Sequence, residues 1–282
     1  MDTSKKLPNL LLAGRFLLQY ALITLAVLIP IYMAYGILQP HFDPYRVYYD
    51  LCPLIVSLIA NSLFLWRYIT KTPYQTRLHA AFRMQGKVLW VIAAFVMGVL
   101  YSMTKYAVTC NLQPDAVINF TVWSSYDSVL DFLKAQLQLP VLVTGLASNL
   151  IAPITEEIIC RFHLPLHLSK SFSPLWIAVI SSTIFALFHL EMHLAALLWH
   201  FIGGLFFYLI CRKSGTLLCP IAAHMGANLY ISLLYEINLN WVVTGLPFTF
   251  IVCCAMIGVT VWILLQKDPL AAETHCTEVT CK

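Results

Sequence analysis

The sequence predicts an all-α polytopic membrane protein, with about eight transmembrane helices around a polar intramembrane cavity. Three observations predict it. Of 282 residues, 60% are hydrophobic and only 11% charged, against about 25% charged in a soluble domain. Mean hydropathy is +0.78. The apolar residues gather into eight runs, most of them near the roughly 20 residues that cross a hydrocarbon core. A chain so poor in charge is expected to have a lipid bilayer and no nucleic acid as partner, and its net charge of +4 reports topology.

The first run, Phe16–Leu38, follows Lys5, Lys6 and Arg15. It is longer than the roughly 7–15 residues of a signal-peptide core and lacks a small-residue cleavage site, so it reads as a retained helix bent at Pro30. A second run, Leu51–Trp66, is separated from the third, Val88–Met103, by the most basic loop of the chain, with Arg67, Lys71, Arg77, Arg83 and Lys87. Thr104–Gln138 is the longest polar stretch, and Tyr126–Leu137 within it is a candidate interfacial helix. The fourth run starts near Leu139. Leu175–His189, Leu194–Cys211, Leu217–Tyr235 and Trp241–Leu265 complete the eight, and Gln266–Lys282 forms a polar tail. Three parts result: residues 1–138 with the first three spans and a loop, 139–235 as a catalytic core, and 236–282 with the last span and tail.

Eight spans put both termini on one side. With that side inside, all of the 17 Lys and Arg residues except Arg46, Lys105 and Lys134 are internal. The excess predicts cytoplasmic N- and C-termini, and the layout suits a prokaryotic inner (plasma) membrane. The nine cysteines lie mostly in or beside apolar runs without a CxxC pair, as small core hydrophobes do. The final Thr-Cys-Lys lacks the fourth-from-last cysteine of a prenylation signal, so the chain is not expected to be such a substrate itself.

The stretch Pro153–Arg161 reads PITEEIICR, two carboxylates and a guanidinium at the end of an apolar run. Ionised groups are costly in hydrocarbon and seldom sit there without a use. On a helix Glu157 and Arg161 share a face and can pair, whereas Glu156 points about 100° away from Glu157. That makes Glu156 the candidate base. In span five Phe185 and His189 are four apart, as are His224 and Asn228 in span seven. An aromatic ring one turn from an imidazole shields and orients it. Ala222, Ala223, Gly226 and Ala227 let neighbouring helices approach closely around His224. Together the groups supply an acid/base, an imidazole and two donors for an oxyanion, the parts of a hydrolase.

The ordered motifs Glu156-Glu157-Ile-Ile-Cys-Arg161, Phe185-Ala-Leu-Phe-His189 and His224-Met-Gly-Ala-Asn228 resemble the CPBP family of intramembrane proteases, also called the CAAX protease and bacteriocin-processing or Abi family. Phe201–His224 is similar to that family's link between its second and third motifs, and the resemblance spans about Leu150–Tyr235. Phe162 stands where the family commonly has glycine. The resemblance implies an endopeptidase in which Glu156 and His189 activate a water, His224 and Asn228 hold the oxyanion, and Glu157, Arg161 and Phe185 support the site or grip substrate. The substrate would be a peptide or protein, prenylated in one branch of the family, entering from the membrane or the cytoplasmic side.

The family is commonly labelled metalloprotease, and Glu156, His189 and His224 would be the ligands of a zinc; a glutamate–histidine water site needs none. HLEMH (His189–His193) is not the zincin HExxH, since its glutamate is third. His193 and His200 are expected at the membrane interface or packed between helices. A non-catalytic scaffold with the same fold, and a small ion- or proton-coupled transporter, remain as other readings. Counting residues along the spans puts His189 about 21 Å from the cytoplasmic face and Glu156 about 25 Å from the outer one. Glu156 and His189 reach one depth only if span four continues past Arg161, to Pro165 or beyond, above a water-filled cavity expected to open to the cytoplasm.

Overall fold

The computed structural model describes residues 11–26, 59–67, 70, 75–83, 87–112, 145–189, 194–237 and 246–266. These are helical with no strand among them. We number the helices α1 (Leu11–Ala26), α2 (59–67), α3 (Gln75–Ala81), α4 (Val88–Leu112), α5 (145–168), α6 (Pro174–Phe188), α7 (Leu194–Ser214), α8 (Leu218–Ile237) and α9 (Leu246–Leu265). The chain divides into two compact units, Met1–Ala80 with Leu133–Ile177, and Ala81–Phe132 with Ala178–Lys282.

Among the described residues, three helical segments, Val88–Thr109, Leu194–Ser214 and Leu246–Leu265, are long and apolar enough to cross a membrane, and Leu11–Ala26 and Pro174–Phe188 are shorter apolar helices. The expected eight spans are therefore met in part. The seventh run is helical over 20 residues, Leu218–Ile237. Large apolar side chains such as Leu89, Leu175, Phe250, Ile257 and Leu265 are exposed on the helix surfaces, which suits lipid and not water.

In the first unit, α5 is one unbroken helical run from 145 to Leu168 with two π-helical segments, Ala147–Ile151 and Ile158–His163. Each segment ends two residues before a proline, Pro153 and Pro165. A proline inside a helix lacks the N–H its turn requires and its ring collides with the carbonyl four residues back. Widening the preceding turn to i→i+5 bonds absorbs both defects without breaking the helix. Span four thus does continue past Arg161, as the depth argument required. α1 and α2 are joined by paired hydrogen bonds between Thr24 and Asn61 at 3.0 and 3.1 Å, and α2 meets α5 through the Ser62 and Thr155 hydroxyls at 3.4 Å.

In the second unit, α4 packs along α8 and α9, and α7 packs on α8 and α9. A Cβ on Gly98 would fall 1.7 Å from the Ala223 carbonyl oxygen, and one on Gly226 would fall 2.2 Å from that of Phe95. The small residues of span seven do admit a neighbour, and that neighbour is α4. Its helix continues nine residues beyond the expected end at Met103, to Leu112. The polar residues there satisfy themselves without ending it: Thr104 and Thr109 donate to the carbonyls one turn back, and Asn111 donates to Ala107 and to Thr249 of α9. α7 stops at Gly215, which takes the left-handed conformation (φ 66°) that glycine adopts without cost.

One end of this unit collects its cations. The Lys87 ammonium, just before α4, donates to the Ser214 carbonyl at the end of α7. Lys213 donates to the Leu264 and Gln266 carbonyls at the end of α9. The bend at Pro30, the interfacial helix Tyr126–Leu137, the start of span four at Leu139, His193 and the tail beyond 266 lie outside the described residues.

Candidate active site

The groups singled out in the sequence fall into two sets. Glu156, Glu157 and Arg161 belong to the first unit, and Phe185, His189, His224 and Asn228 to the second.

On α5, Glu157 Oε2 and Arg161 Nε are 3.0 Å apart with both side chains fully buried. The π turn at Ile158–His163 helps align them, since residues four to five apart then stack along one line. The paired reading of Glu157 with Arg161 holds. Glu156 is half-buried on the adjacent face, within electrostatic reach of the Tyr20 hydroxyl on α1 and of Cys160. Further along α5, His163 lies against Phe16 with ring centroids 3.9 Å apart and planes tilted by 36°, and meets His167 edge-on at 4.6 Å. Both histidines are buried, in the part of α5 where the resemblance departs at Phe162.

In the second unit, the last turn of α6 presents His189. Its Nδ1 lies 2.8 Å from the Phe185 carbonyl oxygen. A carbonyl only accepts, so Nδ1 carries the proton, and in the neutral ring Nε2 keeps its lone pair for chemistry. The Phe185 ring touches both motif imidazoles, edge-on to His189 at 4.8 Å and to His224 at 5.4 Å. Phe207 stacks on His224 at 5.0 Å and meets Phe185 edge-on at 6.1 Å. The motif phenylalanine therefore touches two imidazoles, and His224 packs against a pair of mutually contacting aromatic rings.

His189, His224 and Asn228 line one cavity, together with Tyr101, Ser102, Lys105, His200 and Gly203. His200 stacks face to face on His189 with centroids 3.8 Å apart and planes 20° from parallel. It is indeed packed between helices, but at the cavity wall, a role the sequence did not suggest. Tyr101 donates its hydroxyl to the Trp199 carbonyl and stacks on Phe206 at 5.8 Å. Gly203 makes room for it, since a Cβ there would sit 2.8 Å from the hydroxyl. Gly204 does the same for Ser182, with 2.8 Å to its Cβ. Counting along the helices from the basic end, His224 lies about 9 Å up α8 and Lys105 about 26 Å up α4.

An imidazole with an available Nε2, a second imidazole packed against two aromatic rings and a carboxamide around one cavity can polarise a carbonyl and move a proton. Residues 138–230, about a third of the chain, match the family model described as Rce1-like, type II CAAX prenyl endopeptidase Rce1-like. That segment holds all three motifs, and the match agrees with the resemblance they carry. Searches of curated proteins and of solved structures give no significant match.

Among the described residues no group of three His, Cys, Asp or Glu side chains is arranged to hold a metal ion; of the three candidate zinc ligands, Glu156 belongs to the first unit and His189 and His224 to the second.

Proposed function

We propose that this protein is an intramembrane endopeptidase of the CPBP/CAAX type, cleaving a peptide bond with a glutamate- and histidine-activated water. The observation that carries the reading is the convergence of His189, His224 and Asn228 on one cavity. In the proposed reaction Glu156 accepts a proton as the water oxygen bonds to the peptide carbonyl carbon, with His189 Nε2 orienting that water. His224 and Asn228 donate to the oxyanion that forms. As the tetrahedral intermediate collapses and its C–N bond breaks, the proton passes from Glu156 to the leaving nitrogen. The buried Glu157–Arg161 pair holds the α5 turn that displays Glu156.

The substrate in this reading is a membrane-associated peptide, with a prenyl chain resting in the bilayer. The basic end formed around Lys87 and Lys213 supports a cytoplasmic placement of that end. The test is to incubate the purified protein with a fluorogenic prenylated tetrapeptide and an unprenylated control, with and without chelator. The reading expects cleavage that survives chelation and favours the prenylated peptide. A wild type that never cleaves, with Glu156→Gln behaving as wild type in the native host, would replace the enzyme by a non-catalytic scaffold.

A further inference from the structure

His189 sits at the end of α6, where its own helix holds it least. The α-helix closes at Phe188, and the His189 N–H reaches the Ala186 carbonyl at 3.2 Å, the tightened bond of a last turn. Its side chain is tied locally through Nδ1, to the Phe185 carbonyl. The χ2 torsion of a histidine is broad, so one hydrogen bond at a helix end leaves the ring room to swing.

The second hold comes from α7. His200 lies flat on the His189 ring, with centroids 3.8 Å apart and planes 20° from parallel. Turning His189 about its Cβ–Cγ bond would drive an edge of the ring into that face. The position of His200 is itself set by two helices. Gly204, one turn later, lets α7 meet α6, since a Cβ there would sit 2.8 Å from that of Ser182. Trp199, next to His200, accepts the Tyr101 hydroxyl of α4 with its carbonyl. Ring N–H groups and lone pairs lie in the imidazole plane, so rings meeting by their faces pass no proton directly between them. The contact restrains and does not relay.

We propose that His200 is a positioning residue, which keeps the His189 imidazole turned with Nε2 to the cavity through a contact that any flat ring could make. This rests on the peptidase reading and adds to it a residue outside the three motifs.

The experiment compares full-length wild type, His200→Leu and His200→Phe in vesicles with the quenched prenylated peptide, melting midpoints being measured alongside. Misplacing a reacting group by about 1 Å can cost about 10²-fold in rate. His200→Leu should therefore lower kcat by about tenfold or more with KM changed less than about threefold, and His200→Phe should keep kcat within about threefold of wild type. Wild-type kcat in His200→Leu, or a change confined to KM, overturns the proposal while leaving the peptidase reading intact. His200→Phe as slow as His200→Leu also overturns it, because the imidazole and not the flat face is then what matters. That arm decides alone if His200→Leu does not fold. Proton NMR of the His189 Hε1, assigned by its loss in His189→Ala, reads the stack without turnover. A ring lying on that face shifts the signal upfield, so it should move downfield in His200→Leu and stay upfield in His200→Phe. A signal that His200→Leu leaves in place overturns the stack. If wild type cleaves nothing, the peptidase reading fails and the proposal fails with it.

Discussion

Replacing Arg161 by methionine removes the counter-ion of a carboxylate that has no exposed surface. Glu157 and Arg161 are both fully buried and 3.0 Å apart, so neither charge can turn to water when the other is lost. Breaking such a pair from one side costs about 3–5 kcal/mol, because the remaining charge keeps its desolvation penalty without compensation. Replacing both partners by neutral groups of similar volume removes penalty and attraction together, and is often close to neutral. Arg161→Met should therefore lower the thermal midpoint of the detergent-solubilised protein by on the order of 10 °C, and Glu157→Gln/Arg161→Met should recover more than half of that loss. The assay is intrinsic-fluorescence melting of both variants, completed as a double-mutant cycle with Glu157→Gln. A single variant within 2 °C of wild type, or a double variant no better than the single, would refute the buried-pair reasoning.

The remaining predictions concern helix packing and the cavity of the second unit. Gly98→Val should cripple expression or lower the melting midpoint sharply, because even its Cβ would sit 1.7 Å from the Ala223 carbonyl oxygen; Gly14→Ala on α1, with nothing within 4 Å of its Cβ, should be neutral or slightly stabilising in the same melting assay. Asn228→Ala and His224→Ala should each reduce kcat by about 10²–10³ in the peptide assay, the loss seen for one oxyanion donor, with KM changed far less. Phe185→Leu leaves the His189–carbonyl bond possible but removes the ring touching His189 and His224. It should lower kcat by more than tenfold while the melting midpoint falls by only a few degrees.

Much of the site was legible in the sequence because helical spacing fixes which residues share a face. The Glu157–Arg161 pair, the Phe185–His189 contact and the close helix approach beside His224 all follow from i, i+4 spacing and small residues. Depth bookkeeping also worked, since the helix carrying Glu156 does reach Leu168. What spacing could not supply was contact between helices distant in sequence. His200 lies eleven residues after His189, beyond a helix break, and nothing local marks it as the ring that stacks there. Tyr101 and Lys105 belong to a helix whose sequence looks apolar and then polar, and the change in composition was taken for its end. Thr104, Thr109 and Asn111 undo that inference by bonding to backbone carbonyls within the helix. The π turns before Pro153 and Pro165 were equally hidden. A proline in a span predicts a bend, and only packing decides whether the turn bends or widens.

The central claim is that this cavity breaks peptide bonds. Wild-type protein, Glu156→Gln and His189→Ala are reconstituted in vesicles, checked for equal melting midpoints, and given the quenched prenylated peptide, with products identified by mass. The account predicts a single internal cleavage by wild type and rates at least 10³-fold lower in both variants. Cleavage that continues unchanged in Glu156→Gln, or that is never detected in wild type, would contradict it.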